Sequence, residues 1–226
     1  MTPGNIVGMA KLIGLDILAI TDHQSCGNCE SAMIISERLQ GPLIIPGLEA
    51  ESAEEVHLLC LFPTLKAARL MAALIRESQI RRLNRPEIFG EQVYFDDQDE
   101  EAGFESQLLL MPCRLSCDEI AERVFELGGV CLPAHVDREA NSMLTTLGGI
   151  PPAWPGKWLE LSAPCDPTAW FSEHPELISY PWIRNSDAHH LEQIADPGFP
   201  VHVQGLRQDH SDHDRRIVID FFKARP

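Results

Sequence analysis

Six residues of this chain have side chains that commonly bind metal ions, and they lie next to short apolar runs, where predicted strands end. They are His23, Glu49, His57, His135, Asp187 and His189. Burying so many imidazoles and carboxylates together is costly unless cations neutralise them. A mixed set of nitrogen and oxygen donors suits zinc, manganese or iron better than calcium. Sites with two or three such ions favour phosphoester hydrolysis with a metal-bound water as nucleophile, because one ion acidifies the water while others hold the phosphate.

Taken one at a time, these residues have simpler structural explanations. A single histidine on an apolar strand, such as His57, is more often a packed core residue than a ligand. Asp22 and His23 could cap the following helix, and Glu49 could be an ordinary loop acid. The placement that all six residues share favours a metal centre over these separate explanations.

The elements that position these residues are predicted from capping signals and hydrophobic runs. Helices are expected over 2–13, 29–39, 65–83, 117–127 and 212–223, the fourth opened by a capping box at 116–119. Strands are expected at 15–21, 43–45, 56–62, 130–134, 158–161 and 182–185. This alternation predicts an α/β domain with a mainly parallel sheet, either open or closed into a barrel. The carboxyl ends of parallel strands share one edge, so the six candidate ligands should converge there.

Length and composition favour a single domain. The chain has 226 residues, 44% of them hydrophobic, which suffices for a large core without disulfide bonds. We interpret 1–226 as one domain in which 84–112 is an insertion or acidic loop, with the acidic run 96–101 as a solvated face. Seven cysteines, several of them in apolar runs, and the lack of a signal-peptide pattern predict a cytoplasmic protein. No apolar run has the length of a membrane span.

The sequence resembles the PHP (polymerase and histidinol phosphatase) family, specifically its stand-alone metal-dependent phosphoesterases. The matching segments are, in the family's order, Ile20–His23, Pro46–Glu49, Glu55–Leu59, Pro133–Arg138 and Asn185–His189. The resemblance implies a distorted (β/α)7 barrel with up to three divalent ions at the carboxyl ends of its strands. It also implies that all six candidate residues are metal ligands and that Glu49 bridges two ions. Asp22 would orient His23, and Glu49, His57 and His135 would surround the middle ion.

One departure from the family pattern affects the expected metal content. The family opens with a strand that carries His-x-His and is followed by a further ligand, and this motif has no counterpart before the helix that begins at Thr2. We therefore expect the chain to lack the first barrel strand and two or three ligands, and to hold fewer than three ions. A non-catalytic metal-binding protein is for this reason one alternative function.

Two further residues have predicted roles near the site. Arg138 follows His135 by three residues. It either contacts a substrate phosphate through its planar guanidinium or forms a surface ion pair. Glu160 lies near the end of the predicted strand 158–161, where it either supports the site or forms a structural salt bridge.

The leading functional hypothesis is a metal-dependent phosphoesterase that hydrolyses a small phosphorylated metabolite or a short nucleotide. A PHP-type nuclease or exonuclease is the enzymatic alternative. The net charge of −16 repels polyanions, and the sequence has no basic stripe with interleaved aromatic residues. We therefore expect a small phosphorylated substrate, no extended nucleic-acid surface and no membrane partner.

Overall fold

The computed structural model describes residues 1–194, 200–207 and 209–224, in which helices and strands alternate. The helices are α1 (Pro3–Leu12), α2 (Cys29–Leu39), α3 (Leu65–Ser78), α4 (Pro86–Phe89), α5 (Cys117–Glu126), α6 (Met143–Leu147), α7 (Pro167–Glu173) and α8 (Asp212–Lys223). The strands are β1 (Ile17–Ile20), β2 (Leu43–Glu51), β3 (His57–Leu61), β4 (Val93–Phe95), β5 (Glu101–Phe104), β6 (Val130–Pro133), β7 (Leu159–Ser162) and β8 (Trp182–Asn185). The α/β class predicted from the sequence is confirmed.

The central sheet has four strands in the order β1-β2-β3-β6, and it is mixed rather than mainly parallel. β1 runs parallel to β2, whereas β3 is antiparallel to both β2 and β6. The prediction of a mainly parallel sheet is therefore wrong for β3. Only residues 52–56 join β2 to β3, and a parallel crossover needs a dozen residues or more. β7 and β8 form a separate parallel pair.

The central strands are buried on both faces, which explains their nearly continuous apolar sequences. Ile44 and Leu58 belong to the core cluster that includes residues of α2, α3 and α5. Ile45 and Leu59 belong to a second cluster that includes residues of α8. Because apolar side chains occupy both faces, functional polar groups are confined to the ends of the strands.

The described strands do not close into a barrel. β6 and β7 form no ladder, and beyond the end of β6 the Val136 amide donates to the Glu160 carbonyl at 2.9 Å. Among the described strands, β1 pairs with β2 alone. The distorted (β/α)7 barrel therefore stays a prediction. None of the described helices combines the length and the apolar character that a membrane crossing requires.

The helix predicted over 65–83 ends earlier, at Ser78, and the chain continues as an extended segment. It pairs antiparallel with 107–113 through bridges between Gln79 and Cys113 and between Leu83 and Gln107. The Gln79 side-chain amide donates to the carbonyls of Leu108 and Met111 at 3.1 and 3.0 Å. These hydrogen bonds stabilise the extended conformation relative to a further turn of helix.

The segment 84–112, predicted as an insertion or acidic loop, contains α4 and a hairpin of β4 and β5. Its acidic run contacts the first turn of α1. Asp99 accepts hydrogen bonds from the Thr2 hydroxyl and from the Gly4 amide, the latter at 2.8 Å. A carboxylate at this end of a helix complements the helix dipole.

Candidate metal centre

Four of the six predicted ligands converge on one edge of the central sheet. Glu49 lies near the carboxyl end of β2, His23 follows β1 and forms a bridge with Glu49, and His135 follows β6. His57 is instead the first residue of β3. Because β3 is antiparallel to its neighbours, its amino end lies at this same edge. His57 thus reaches the cluster on a reversed strand and not in the parallel arrangement that the sequence predicts.

Glu49 lies at the centre of the cluster, with three imidazoles around its carboxylate. Its Oε2 is 2.9 Å from Nδ1 of His23 and 3.4 Å from Nδ1 of His57. Its Oε1 is 3.6 Å from Nε2 of His135. The two facing nitrogens of His57 and His135 are 3.3 Å apart. With only 10% of the Glu49 side chain exposed, these donor atoms form a compact and largely buried group.

Two candidate ligands occupy a backbone conformation that is unfavourable for residues other than glycine. His135 has a φ of 31° and Asp187 a φ of 46°. Such a conformation costs about 1–3 kcal/mol and occurs preferentially at functional sites. At His135 it is held by two hydrogen bonds: its amide donates to the Glu160 carboxylate at 3.1 Å, and its carbonyl accepts from the Arg138 amide at 2.9 Å.

The electrostatics of the cluster favour an ionised Glu49. Burial opposes ionisation, but hydrogen bonds from His135, His23 and His57 hold the pKa of Glu49 well below its usual value. Burial also opposes protonation of His23 and His135, yet contact with Glu49 raises the pKa of both imidazoles. Metal ligands must be deprotonated. A cation bound at this cluster would therefore displace the protons that the imidazoles share with Glu49.

The donor set fits a divalent transition metal. Two ligands bound at about 2.1 Å in a tetrahedral site lie about 3.4 Å apart. The contacts of His57 with Oε2 of Glu49, of His135 with Oε1 of Glu49 and of the two imidazoles with each other, between 3.3 and 3.6 Å, are close to that spacing. Three protein ligands with an open position are usual for catalytic zinc. His23, Glu49 and His57 form a second trio, with donor atoms within 4.8 Å of one another. Glu49 and His57 are common to both trios.

Asp187 and His189 lie at the rim of this cluster rather than inside it. Oδ2 of Asp187 is 2.7 Å from Nη1 of Arg138, and the His189 ring lies 5.9 Å from the His23 ring. The charge of Asp187 also contributes to the raised pKa of His23. Of the two roles predicted for Arg138, the structure contains the ion pair, and a phosphate contact stays a prediction.

Glu160 lies in a buried network behind His135. Besides the His135 amide, its carboxylate accepts a hydrogen bond from the Asn185 side chain at 2.6 Å. Burial raises the pKa of Glu160 to about 7. The network joins the ends of β6, β7 and β8. Sequence reasoning does not single out Asn185, although it ends β8 two residues before Asp187 and lies in a segment that matches the family.

Asp22 is predicted to orient His23. Its carboxylate accepts a hydrogen bond from the Asn28 side chain at 3.3 Å, and its carbonyl accepts from the Glu49 amide at 3.2 Å. Desolvation raises the pKa of Asp22, and its charge contributes to the raised pKa of His23. These contacts place Asp22 beside the cluster, and its orienting role stays a prediction.

Comparison with solved structures identifies the fold. The lesion-specific endonuclease PfuEndoQ from Pyrococcus furiosus aligns at a TM-score of 0.57 and 21% identity, over 86% of this chain and 46% of that one. A proposed metal-dependent phosphoesterase from Bifidobacterium adolescentis aligns at 0.55 and 19% identity, over 99% of this chain and 92% of that one. Both have PHP-type folds, so the predicted resemblance is confirmed at the level of the fold. No protein-family model and no curated protein matches the sequence.

A third comparison corrects the predicted partner. Endonuclease Q in complex with a 27-mer duplex substrate that carries an abasic lesion aligns at a TM-score of 0.52 and 22% identity, over 84% of this chain and 45% of that one. This chain thus spans about half the length of both endonuclease structures. The prediction of a small phosphorylated substrate without a nucleic-acid surface is wrong, because endonuclease Q, which has a similar fold, binds a DNA duplex as its substrate. Net charge is a poor guide here, since it does not describe the local surface.

Proposed function

We propose that this chain, which has a PHP-type fold, is a metal-dependent phosphoesterase that hydrolyses phosphodiester bonds in nucleic acid. The main support is the convergence of His23, His57 and His135 on the carboxylate of Glu49, with separations that suit a divalent ion. The likeness in fold to endonuclease Q makes duplex DNA the substrate class to test.

The exposed rim of the cluster suits a polymeric substrate. A pocket for a small molecule encloses most of the surface of its ligand. Here the cluster lies at the edge of the sheet, and the rim side chains of Arg138 and His189 are 41% and 57% exposed. A phosphate within a long chain needs such an open approach, because the chain has to continue on both sides of the bond that is cleaved.

Each side chain of the centre has a role in this proposal. Glu49, His57 and His135 would hold one ion, and His23, Asp187 and His189 would supply ligands to any further ion. Divalent ions at such a site polarise the phosphoryl group and acidify a water. Arg138 exchanges the Asp187 carboxylate for a phosphate oxygen of the substrate, since its planar guanidinium suits either anion.

Glu160 supports this arrangement from behind. Its carboxylate binds the His135 amide and the Asn185 side chain, and so fixes the loops that carry His135 and Asp187. Hydrogen-bonding partners behind a ligand commonly change metal affinity about 10- to 100-fold. In the proposed enzyme, the ligand geometry is therefore set before the substrate binds.

The test is a nicking assay with metal ions. The chain is incubated with Mn²⁺, Zn²⁺ or Mg²⁺ and an end-labelled DNA duplex, either intact or with one abasic-site analogue, and the products are separated on a denaturing gel. His135→Ala should abolish cleavage. His213→Ala is the matched control, because His213 is exposed at the start of α8 and should be dispensable.

Three outcomes would contradict the proposal. Metal binding without cleavage of either duplex would favour the non-catalytic alternative. Hydrolysis of a chromogenic phosphomonoester without cleavage of DNA would refute the assigned substrate class. Full activity of His135→Ala would show that the catalytic centre lies elsewhere.

A further inference from the structure

Four exposed arginines lie on the antiparallel ladder between 78–85 and 106–114. They are Arg81, Arg82, Arg85 and Arg114, and we call them the arginine ladder. The Leu108 amide donates to the Arg82 carbonyl at 2.7 Å, and the Arg114 amide donates to the Ser78 carbonyl at 3.0 Å. The pairing of these two segments thus brings arginines that are up to 33 positions apart in sequence onto one exposed two-stranded segment.

No member of the arginine ladder takes part in an ion pair with the residues that the structure describes. Six other arginines do contact a carboxylate, namely Arg38, Arg69, Arg76, Arg123, Arg138 and Arg215. The nearby buried carboxylate of Glu105 is already paired with Arg76 at 2.9 Å. The chain has 34 acidic and 18 basic residues. Four neighbouring arginines that form no ion pair with a described carboxylate are therefore available to bind an anion from solution.

The segment 107–113, which pairs with the segment carrying Arg81 and Arg82, is hydrogen-bonded to the edge that carries the metal centre. Gln24 follows the candidate ligand His23, and its side-chain amide donates to the carbonyls of Met111 and Glu51 at 2.9 and 3.2 Å. The Cys113 amide also donates to the Glu51 carbonyl at 2.9 Å. The strand 107–113 therefore lies against the end of β2, two residues beyond Glu49.

We propose that the arginine ladder binds the phosphate backbone of a nucleic-acid substrate whose cleaved bond lies at the metal centre. This inference rests on the proposed function and identifies the surface that recognises its substrate. The net charge of −16 does not prevent such binding. At 0.1 M salt the Debye length is about 10 Å, so acidic groups on remote surfaces are largely screened from the bound backbone.

The test measures DNA binding separately from catalysis. Fluorescence anisotropy of a labelled duplex is recorded in EDTA over a range of KCl concentrations, with the full chain and two triple variants. One variant is Arg81→Gln, Arg82→Gln and Arg85→Gln. The matched control is Lys66→Gln, Lys157→Gln and Arg216→Gln, which removes the same charge from exposed positions outside the ladder.

The arginine variant should reduce the slope of log Kd against log salt by about 0.9 for each phosphate contact that is lost, and so by up to about 2.7 for three contacts. Its Kd at 0.1 M KCl should rise at least about tenfold, with little change for the control. Equal weakening of both variants, or binding that neither variant changes, would overturn the inference while leaving the proposed hydrolysis intact. Arginine-dependent binding without metal-dependent cleavage would support the ladder and refute the proposed hydrolysis.

Discussion

Replacing Glu49 by glutamine should remove most of the stability that the chain gains from metal. The Glu49 carboxylate contacts three imidazoles at 2.9, 3.4 and 3.6 Å, and it is the only carboxylate in the two donor trios, which also share His57. Glutamine keeps the shape but loses the charge. Loss of a partner that merely orients a ligand already weakens metal binding by up to about 100-fold, so at least this loss is expected for Glu49→Gln.

The expected effect on thermal stability follows from mass action. At a metal concentration of about 100 times Kd, the metal stabilises the native chain by about 2.7 kcal/mol. A Kd that is about 100-fold higher leaves about 0.4 kcal/mol at the same concentration. For a chain of 226 residues, 1 kcal/mol corresponds to roughly 2–4 °C in Tm. The metal-induced rise in Tm should therefore fall from about 5–11 °C to about 1–2 °C.

The assay is a pair of thermal melts followed by circular dichroism, one in EDTA and one in Zn²⁺ or Mn²⁺. Glu105→Gln is the matched control, since Glu105 is also a buried, paired carboxylate but lies away from the cluster. This control should lower the Tm in EDTA and keep the full rise with metal. If Glu49→Gln also kept the full rise, the assignment of Glu49 as the central ligand would be refuted.

Three further predictions address the elements around the centre. Asn185→Ala removes a hydrogen-bond donor to Glu160 and should weaken metal binding about 10- to 100-fold, measured by competition with a chelating dye. An unchanged metal affinity would contradict the supporting role of that network. Ser116→Ala, which removes the capping box of α5, should cost about 1 kcal/mol in chemical denaturation, and a neutral result would contradict the capping geometry. Burial raises the pKa of Cys117 to about 12, and six of the seven thiols are buried. A thiol reagent at pH 8 should therefore react slowly with the native protein. After unfolding, the same reagent should react with all seven thiols. Rapid reaction of all seven in the native state would contradict this burial.

Local signals predict the helix starts well. The Thr2 hydroxyl caps α1 with Pro3 at its first position, and Ser116 and Glu119 form the capping box of α5. These signals act within one turn of chain, so the sequence is enough to identify them. The positions of the six candidate ligands near strand ends can also be predicted from local sequence, because each residue follows or opens a short apolar run.

The remaining features depend on contacts that no local pattern records. The direction of β3 is set by its short connection to β2, and this direction decides how His57 reaches the edge. The helix over 65–83 stops at Ser78 because Gln79 bonds to a strand about 30 residues later. The arginine ladder arises from that same pairing. The net charge of the chain therefore does not reveal this basic surface, because the surface forms only in the tertiary structure.

Anomalous diffraction from crystals soaked in Zn²⁺ or Mn²⁺ tests the central claim most directly, because it locates each ion without reference to activity. A peak bound by Glu49, His57 and His135 is expected, and it should be absent from crystals of Glu49→Gln. Absence of a peak at Glu49, with ions found only at other groups such as the acidic run 96–101, would contradict the proposed metal centre.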